Sequence, residues 1–80
     1  MKILFFGRLA DMLGSELEVD VPPDSSVGQL RDLLIQRYPD AAPVLLNRRA
    51  KACVGDALVH DHAIVGTAEV VEFLPPVSGG

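Results

Sequence analysis

Few residues of this 80-residue chain are equipped for chemistry. Cys53 is the only cysteine and stands between Ala52 and Val54, where it reads as a small buried hydrophobe. His60-Asp61-His62 sets two histidines on one side of an extended segment, but two are too few for a zinc site, so the stretch reads as surface loop. No Ser-His-Asp, Cys-His or glycine-rich phosphate pattern occurs, and neither a metal nor a bound cofactor is expected. What remains is the ending, Pro75-Pro76-Val77-Ser78-Gly79-Gly80. Two prolines favour an extended, polyproline-like stem, and the last two residues carry no side chains. Six extended residues reach roughly 20 Å, which makes a slender arm tipped by a carboxylate.

Composition explains why such a chain would work through an end. Ordinary domains run to roughly 100–150 residues, so 80 residues make one at most. The sequence is 49% hydrophobic with mean hydropathy +0.29, enough for a core but not for a deep pocket with its own supporting shell. On this reading the chain catalyses nothing alone. Net charge is −4, from 11 acidic and 7 basic residues, which excludes a basic footprint for nucleic acid and favours a basic protein surface as partner. With one cysteine there is no internal disulfide, in keeping with a reducing compartment. The opening Met1-Lys2-Ile3-Leu4-Phe5-Phe6-Gly7 is too short in apolar length for a signal peptide or a membrane span. A cytoplasmic protein with no membrane partner is expected.

The elements that must carry the arm are legible in part. Residues 2–6 suggest a strand buried on both faces, closed by Gly7. Arg8 to Leu13 could form a helical turn ended by Gly14. Residues 16–21 alternate, placing Leu17, Val19 and Val21 inward and Glu16, Glu18 and Asp20 outward, until Pro22-Pro23 stops the strand. Ser26 and Gln29 match a capping box, and Val27, Leu30 and Leu34 follow at helical spacing. Tyr38-Pro39 ends that helix. Val44-Leu45-Leu46 suggests a short helical turn under the sheet, and Asn47-Arg48-Arg49 a basic loop. Residues 52–54 and 57–59 are short strands around Gly55-Asp56, and residues 70–74 make a last apolar strand. The two most hydrophobic strands, 2–6 and 70–74, are the natural central pair, parallel to each other, with one main helix on one face. Of the arrangements this order allows, the best is an α+β β-grasp with a mixed sheet of four to five strands over residues 1–74, and a tail over 75–80.

Several stretches sharpen this reading. Val71-Glu72-Phe73-Leu74-Pro75-Pro76-Val77-Ser78-Gly79-Gly80 resembles the C-terminus of the small, sulfur-carrying subunit of molybdopterin synthase. Ile3-Leu4-Phe5-Phe6-Gly7-Arg8-Leu9-Ala10 with Leu13-Gly14, and Ser26-Val27 with Leu30 and Leu33-Leu34, resemble the same family's start and helix. The likeness spans nearly the whole chain. Gly66-Thr67-Ala68 stands where the family often has Asp-Gly-Asp, and Val54-Gly55 where it often has Val-Asn.

The resemblance implies a ubiquitin-like fold and a sulfur carrier. Its C-terminal glycine, Gly80, is adenylated by an ATP-dependent activating enzyme and thiocarboxylated. The large catalytic subunit of molybdopterin synthase then uses the sulfur to build the molybdopterin dithiolene on cyclic pyranopterin monophosphate. Gly79, Ser78 and Val77 would thread the partner's channel, and ATP would be used by the activating enzyme, not bound by the carrier. The resemblance also implies an apolar docking patch on the exposed sheet face, for which Phe6, Leu58 and Leu74 are the candidates, against plain core packing. Arg48-Arg49-Lys51 reads as solvated loop charge, or as a guide for a partner. Other readings are a carrier for thiamin thiazole synthesis, whose members usually lack the Pro-Pro stem, a ubiquitin-like protein modifier, and an interaction module with an inert tail.

Overall fold

Local signals set the boundaries of the main helix. In the structure, a computed structural model describing residues 1–47 and 50–75, Ser26 is extended and its Oγ accepts the Gln29 N–H at 3.2 Å. Gln29 Oε1 accepts the Ser26 N–H at 2.8 Å in return, completing the expected capping box. The helix, α2 (Val27–Arg37), ends at Tyr38, whose N–H reaches the Leu34 carbonyl just before Pro39. Val27, Leu30 and Leu34 are fully buried, as their spacing predicts.

Around α2 the order is β1 (Lys2–Phe5), α1 (Gly7–Leu13), β2 (Glu16–Glu18), then α2, a 3₁₀ turn (Pro39–Ala41), α3 (Ala42–Leu45), β3 (Lys51–Val54), β4 (Ala57–Val59) and β5 (Val70–Leu74). The five strands form one mixed sheet in the order β2-β1-β5-β3-β4. β1 and β5 lie side by side and parallel at its centre, with Ile3 opposite Val71 and Phe5 opposite Phe73. The other pairings are antiparallel. This is the β-grasp arrangement expected from the element order.

One face of the sheet makes the core. Ile3, Phe5, Ala52, Val71 and Phe73 are buried in one cluster with the α2 stripe, and the Phe5 and Phe73 rings stack with centroids 6.3 Å apart. The opposite face is uncovered, which corrects the expectation that the first strand is buried on both sides. Lys2 is exposed and Leu4 only half-buried. In β2 the alternation persists beyond the ladder: Val19 is buried and its N–H bonds the Met1 carbonyl at 2.9 Å. The short helix expected near Val44 forms as α3 with Val44 and Leu45 buried, but Leu46 lies outside it and is exposed.

Gly66 meets a second local demand. A Cβ there would collide with the Pro22 carbonyl oxygen and stand 2.6 Å from the Pro23 carbonyl carbon. The loop before β5 packs that tightly because Ser25 O accepts the N–H groups of both Val65 and Gly66, at 2.8 and 3.1 Å. β2 itself ends at Glu18, ahead of the prolines expected to stop it, and Pro22-Pro23 instead wall the approach to β5.

One buried cation ties the far side of the core together. Arg31, on α2, is 8% exposed. Its Nε donates to Asp61 Oδ1 at 2.9 Å, one terminal nitrogen to the Leu45 carbonyl at 2.6 Å, and the other to the Ala50 carbonyl. Its guanidinium also lies over the Phe73 ring, 5.5 Å from the centroid. Because the two carbonyls are buried partners and the Asp61 carboxylate is exposed, most of the energy resides in the carbonyl bonds. Arg31→Met is expected to lower unfolding stability in urea by about 3 kcal/mol, and Asp61→Asn by no more than about 1 kcal/mol. Equal effects from the two would show that the ion pair, not the carbonyl clamp, matters.

Candidate functional site

The open face of the sheet is laid out by strand parity. With Ile3 and Phe5 under α2, side chains at Lys2, Leu4 and Phe6 point to the opposite side. The ladder pairs Leu58 with Cys53, Cys53 with Glu72 and Glu72 with Leu4, so these four form one row across that face. In the neighbouring row Lys51 lies opposite Leu74. Phe6 continues the extended path of β1, and the next step of the parallel register sets it beside Leu74.

All three docking candidates therefore share the uncovered face. Phe6 is 42% exposed, Leu58 is 64% exposed and Leu74 is half-buried. Phe6 and Leu74 are neighbours at the end of the central strand pair. Leu58 stands two strands from β5, about 10 Å away, with Cys53 and Lys51 between. The result is an apolar strip interrupted by one lysine and one acidic residue.

Cys53 is displaced from its expected place in the core. Lys51 fixes the parity of β3: it points outward, Ala52 inward, and Cys53 outward again. The thiol is partly exposed on the open face. Its pKa is raised, first by partial burial and then by the negative charge of Glu72 opposite, which leaves it a weak nucleophile at neutral pH.

The arm is anchored at Pro75, the first residue beyond β5 and the last described one. Pro76, Val77, Ser78, Gly79 and Gly80 lie outside the described residues, as do Arg48 and Arg49 of the basic loop. His60 and His62 meet in a T-shaped contact with centroids 6.1 Å apart, and among the described residues no three His, Cys, Asp or Glu side chains gather to hold a metal. Two features that position the site escaped the sequence. Arg31 sits in a helix where arginine normally faces water, and Gly7 touches a residue 68 positions away.

The ThiS family model matches residues 3–80. The chain belongs to the ThiS family. Solved structures agree on the fold. SAMP1 from Haloferax volcanii superposes with a TM-score of 0.79 at 24% identity, covering 99% of this chain and 97% of that one. A protein from Pyrococcus furiosus described as molybdopterin converting factor, subunit 1, gives 0.79 at 20% identity over 95% of each chain. A second structure from H. volcanii, of small archaeal modifier protein 1, gives 0.78 at 22% identity over 95% of each. This ThiS-family chain thus has the ubiquitin-like β-grasp fold that these proteins share. Among its described residues no helix is long and apolar enough to cross a membrane.

The charge of Glu72 gives a test of the open-face geometry. Removing it by Glu72→Gln stabilises the Cys53 thiolate, so iodoacetamide alkylation at pH 8 is expected to quicken by roughly two- to fivefold. The effect is modest because burial, the larger cause of the raised pKa, remains. Intact mass against time measures it, and an unchanged rate would separate the two side chains.

Proposed function

We propose that this ThiS-family chain is a sulfur carrier for molybdopterin synthesis, with the Gly80 carboxylate as its reacting group. The observation that carries the reading is the path of β5. It is a central strand, held on both sides, and it brings the chain to Pro75 at the Phe6–Leu74 end of the open face. An arm rooted so firmly, next to an apolar docking surface, suits delivery of its tip into another protein's active site.

The chemistry follows from the carboxylate. An α-carboxyl titrates near about 3.5, so at neutral pH it is an anion and a poor electrophile. An ATP-dependent activating enzyme joins it to AMP with loss of pyrophosphate, and a sulfur nucleophile then displaces AMP to leave a thiocarboxylate. Glycine at 79 and 80 keeps the reacting carbon unhindered, and Val77 and Ser78 are small enough to follow it into a channel. The large synthase subunit takes the sulfur for the dithiolene of molybdopterin on cyclic pyranopterin monophosphate. Phe6, Leu58 and Leu74 form the surface that meets both partners in turn, in the cytoplasm.

The likeness to small archaeal modifier protein 1 favours a second reading, in which the same activated Gly80 joins lysines of target proteins. Carriage for thiamin thiazole synthesis is a third, opposed by the Pro75-Pro76 stem. Intact mass of the protein isolated from cells separates the first two. Oxygen-to-sulfur exchange at Gly80 is expected for the carrier, and a ladder of conjugates instead of it would favour the modifier. Recovery of molybdopterin, not thiamin, in a strain deleted for this chain and complemented with it identifies the pathway.

Two variants probe the arm and the patch separately. Gly80→Val is expected to melt like the parent and support no sulfur transfer; normal turnover would sink the assignment of Gly80. Leu58→Glu changes an exposed side chain, so stability should move by no more than about 0.5 kcal/mol. Its affinity for the large subunit, measured by calorimetry, should fall at least about tenfold, and unchanged affinity would remove Leu58 from the docking surface.

A further inference from the structure

Among the described residues three glycines have positive φ, and they are not equivalent. Gly14 (φ 90) caps α1, and Gly55 (φ 61) opens the turn between β3 and β4; a Cβ at either would meet nothing within 4 Å. Gly7 has nearly the same φ as Gly55, 56°, but a Cβ there would lie 2.9 Å from Pro75 Cγ and 3.8 Å from Cδ. Backbone conformation alone accounts for Gly14 and Gly55. Gly7 meets a second demand, from the root of the arm.

We propose that Gly7 is a positioning residue for the tail: the space left by its missing side chain seats the Pro75 ring and fixes the direction in which the chain leaves β5. This role rests on the sulfur-carrier reading above. β1 and β5 are parallel, so both end at the same edge of the sheet, and Gly7 follows β1 as Pro75 follows β5. Up to Leu74 the course of β5 is fixed by its pairing with β1 and β3. Pro75 is the first residue beyond those ladders, and its Cγ occupies the space that a Cβ at Gly7 would need.

The proline ring is closed onto its own backbone. Beyond a change of pucker, Cγ can retreat from an added methyl only if the Pro75 N and Cα move with it, which re-aims the arm. Drawn out fully in a partner's channel, five residues would span at most roughly 17 Å, so a turn of about 10° at their root would carry the tip about 3 Å sideways. Reacting groups tolerate far less: a misplacement of about 1 Å can cost about a hundredfold in rate. The open-face patch is untouched by such a turn, so docking should persist while the chemical step fails.

The test compares the parent with Gly7→Ala, Pro75→Ala, the double variant and Gly55→Ala, using ATP–pyrophosphate exchange by the activating enzyme as readout. Gly55→Ala carries the same backbone strain without the contact and should change exchange by no more than about twofold. Gly7→Ala is expected to lower kcat by about tenfold or more with KM for the carrier little changed. It should also melt lower than Gly55→Ala by about 5 °C. In the Pro75→Ala background, where Cγ is gone, the same Gly7→Ala change should cost exchange no more than Gly55→Ala does in the parent. Equal kcat for Gly7→Ala and Gly55→Ala, or an undiminished loss in the Pro75→Ala background, would overturn the role. In the free protein a nuclear Overhauser contact between Gly7 Hα and Pro75 Hγ should be present, and its absence overturns the seat whatever the enzyme does. A parent chain that supports no exchange, with that contact present, overturns the carrier reading and the positioning role with it.

Discussion

The Arg31 guanidinium is the constraint on which the rest of the structure leans. A cation taken almost wholly out of water must have its donors matched, or the cost runs to several kcal/mol. Here the match is a clamp: a carbonyl at the end of α3, a carbonyl just before β3, and a carboxylate in the loop after β4. Three sites, 14, 19 and 30 residues beyond Arg31, are thus drawn to one point on α2. Their convergence sets where β3 begins, and β3 is the strand that flanks β5 on the side away from β1. No buried side-chain nitrogen or oxygen among the described residues is left without a partner, so the clamp is complete.

From that point the two-faced sheet follows. Helices cover one side only, and the strands answer with strict alternation, apolar beneath and mixed above. A chain of this size can fill a single layer of core between sheet and helix. The face left over is the proposed docking surface, and the strand at its centre is the one that ends at Pro75. On the proposed reading stability and delivery share β5: its inward residues Val71 and Phe73 are core, and its outward residues Glu72 and Leu74 lie on the open face.

Much of this was legible because certain residues punctuate strongly. Ser26 and Gln29 announce the start of α2, Tyr38-Pro39 its end, and Glu16 to Val21 the facing of β2. The β-grasp order and the parallel central pair followed from where the apolar runs fall. The open face was harder to read. In a run such as Ile3-Leu4-Phe5-Phe6 every residue is apolar, so nothing in the pattern says which side is uncovered. The same ambiguity hid Cys53, although Lys51 two positions earlier carried the parity. Arg31 was invisible for a different reason: its three partners are backbone carbonyls and a loop aspartate, which no spacing along the chain connects. Gly7 reads as a strand breaker, and only the side-by-side, parallel course of β1 and β5 brings it to Pro75. The arm was read from composition and from resemblance, and the described residues stop at its root.

The short outer strands carry a further consequence. β2 and β4 bound the sheet, each is only three residues long, and β2 presents Glu16 and Glu18. Such edges offer few free backbone groups and repel an incoming strand with charge. A protein that displays an apolar face to successive partners risks being captured by whatever strand it meets. With its borders closed in this way the sheet resists extension, and a partner of the proposed docking face would have to meet it broadside.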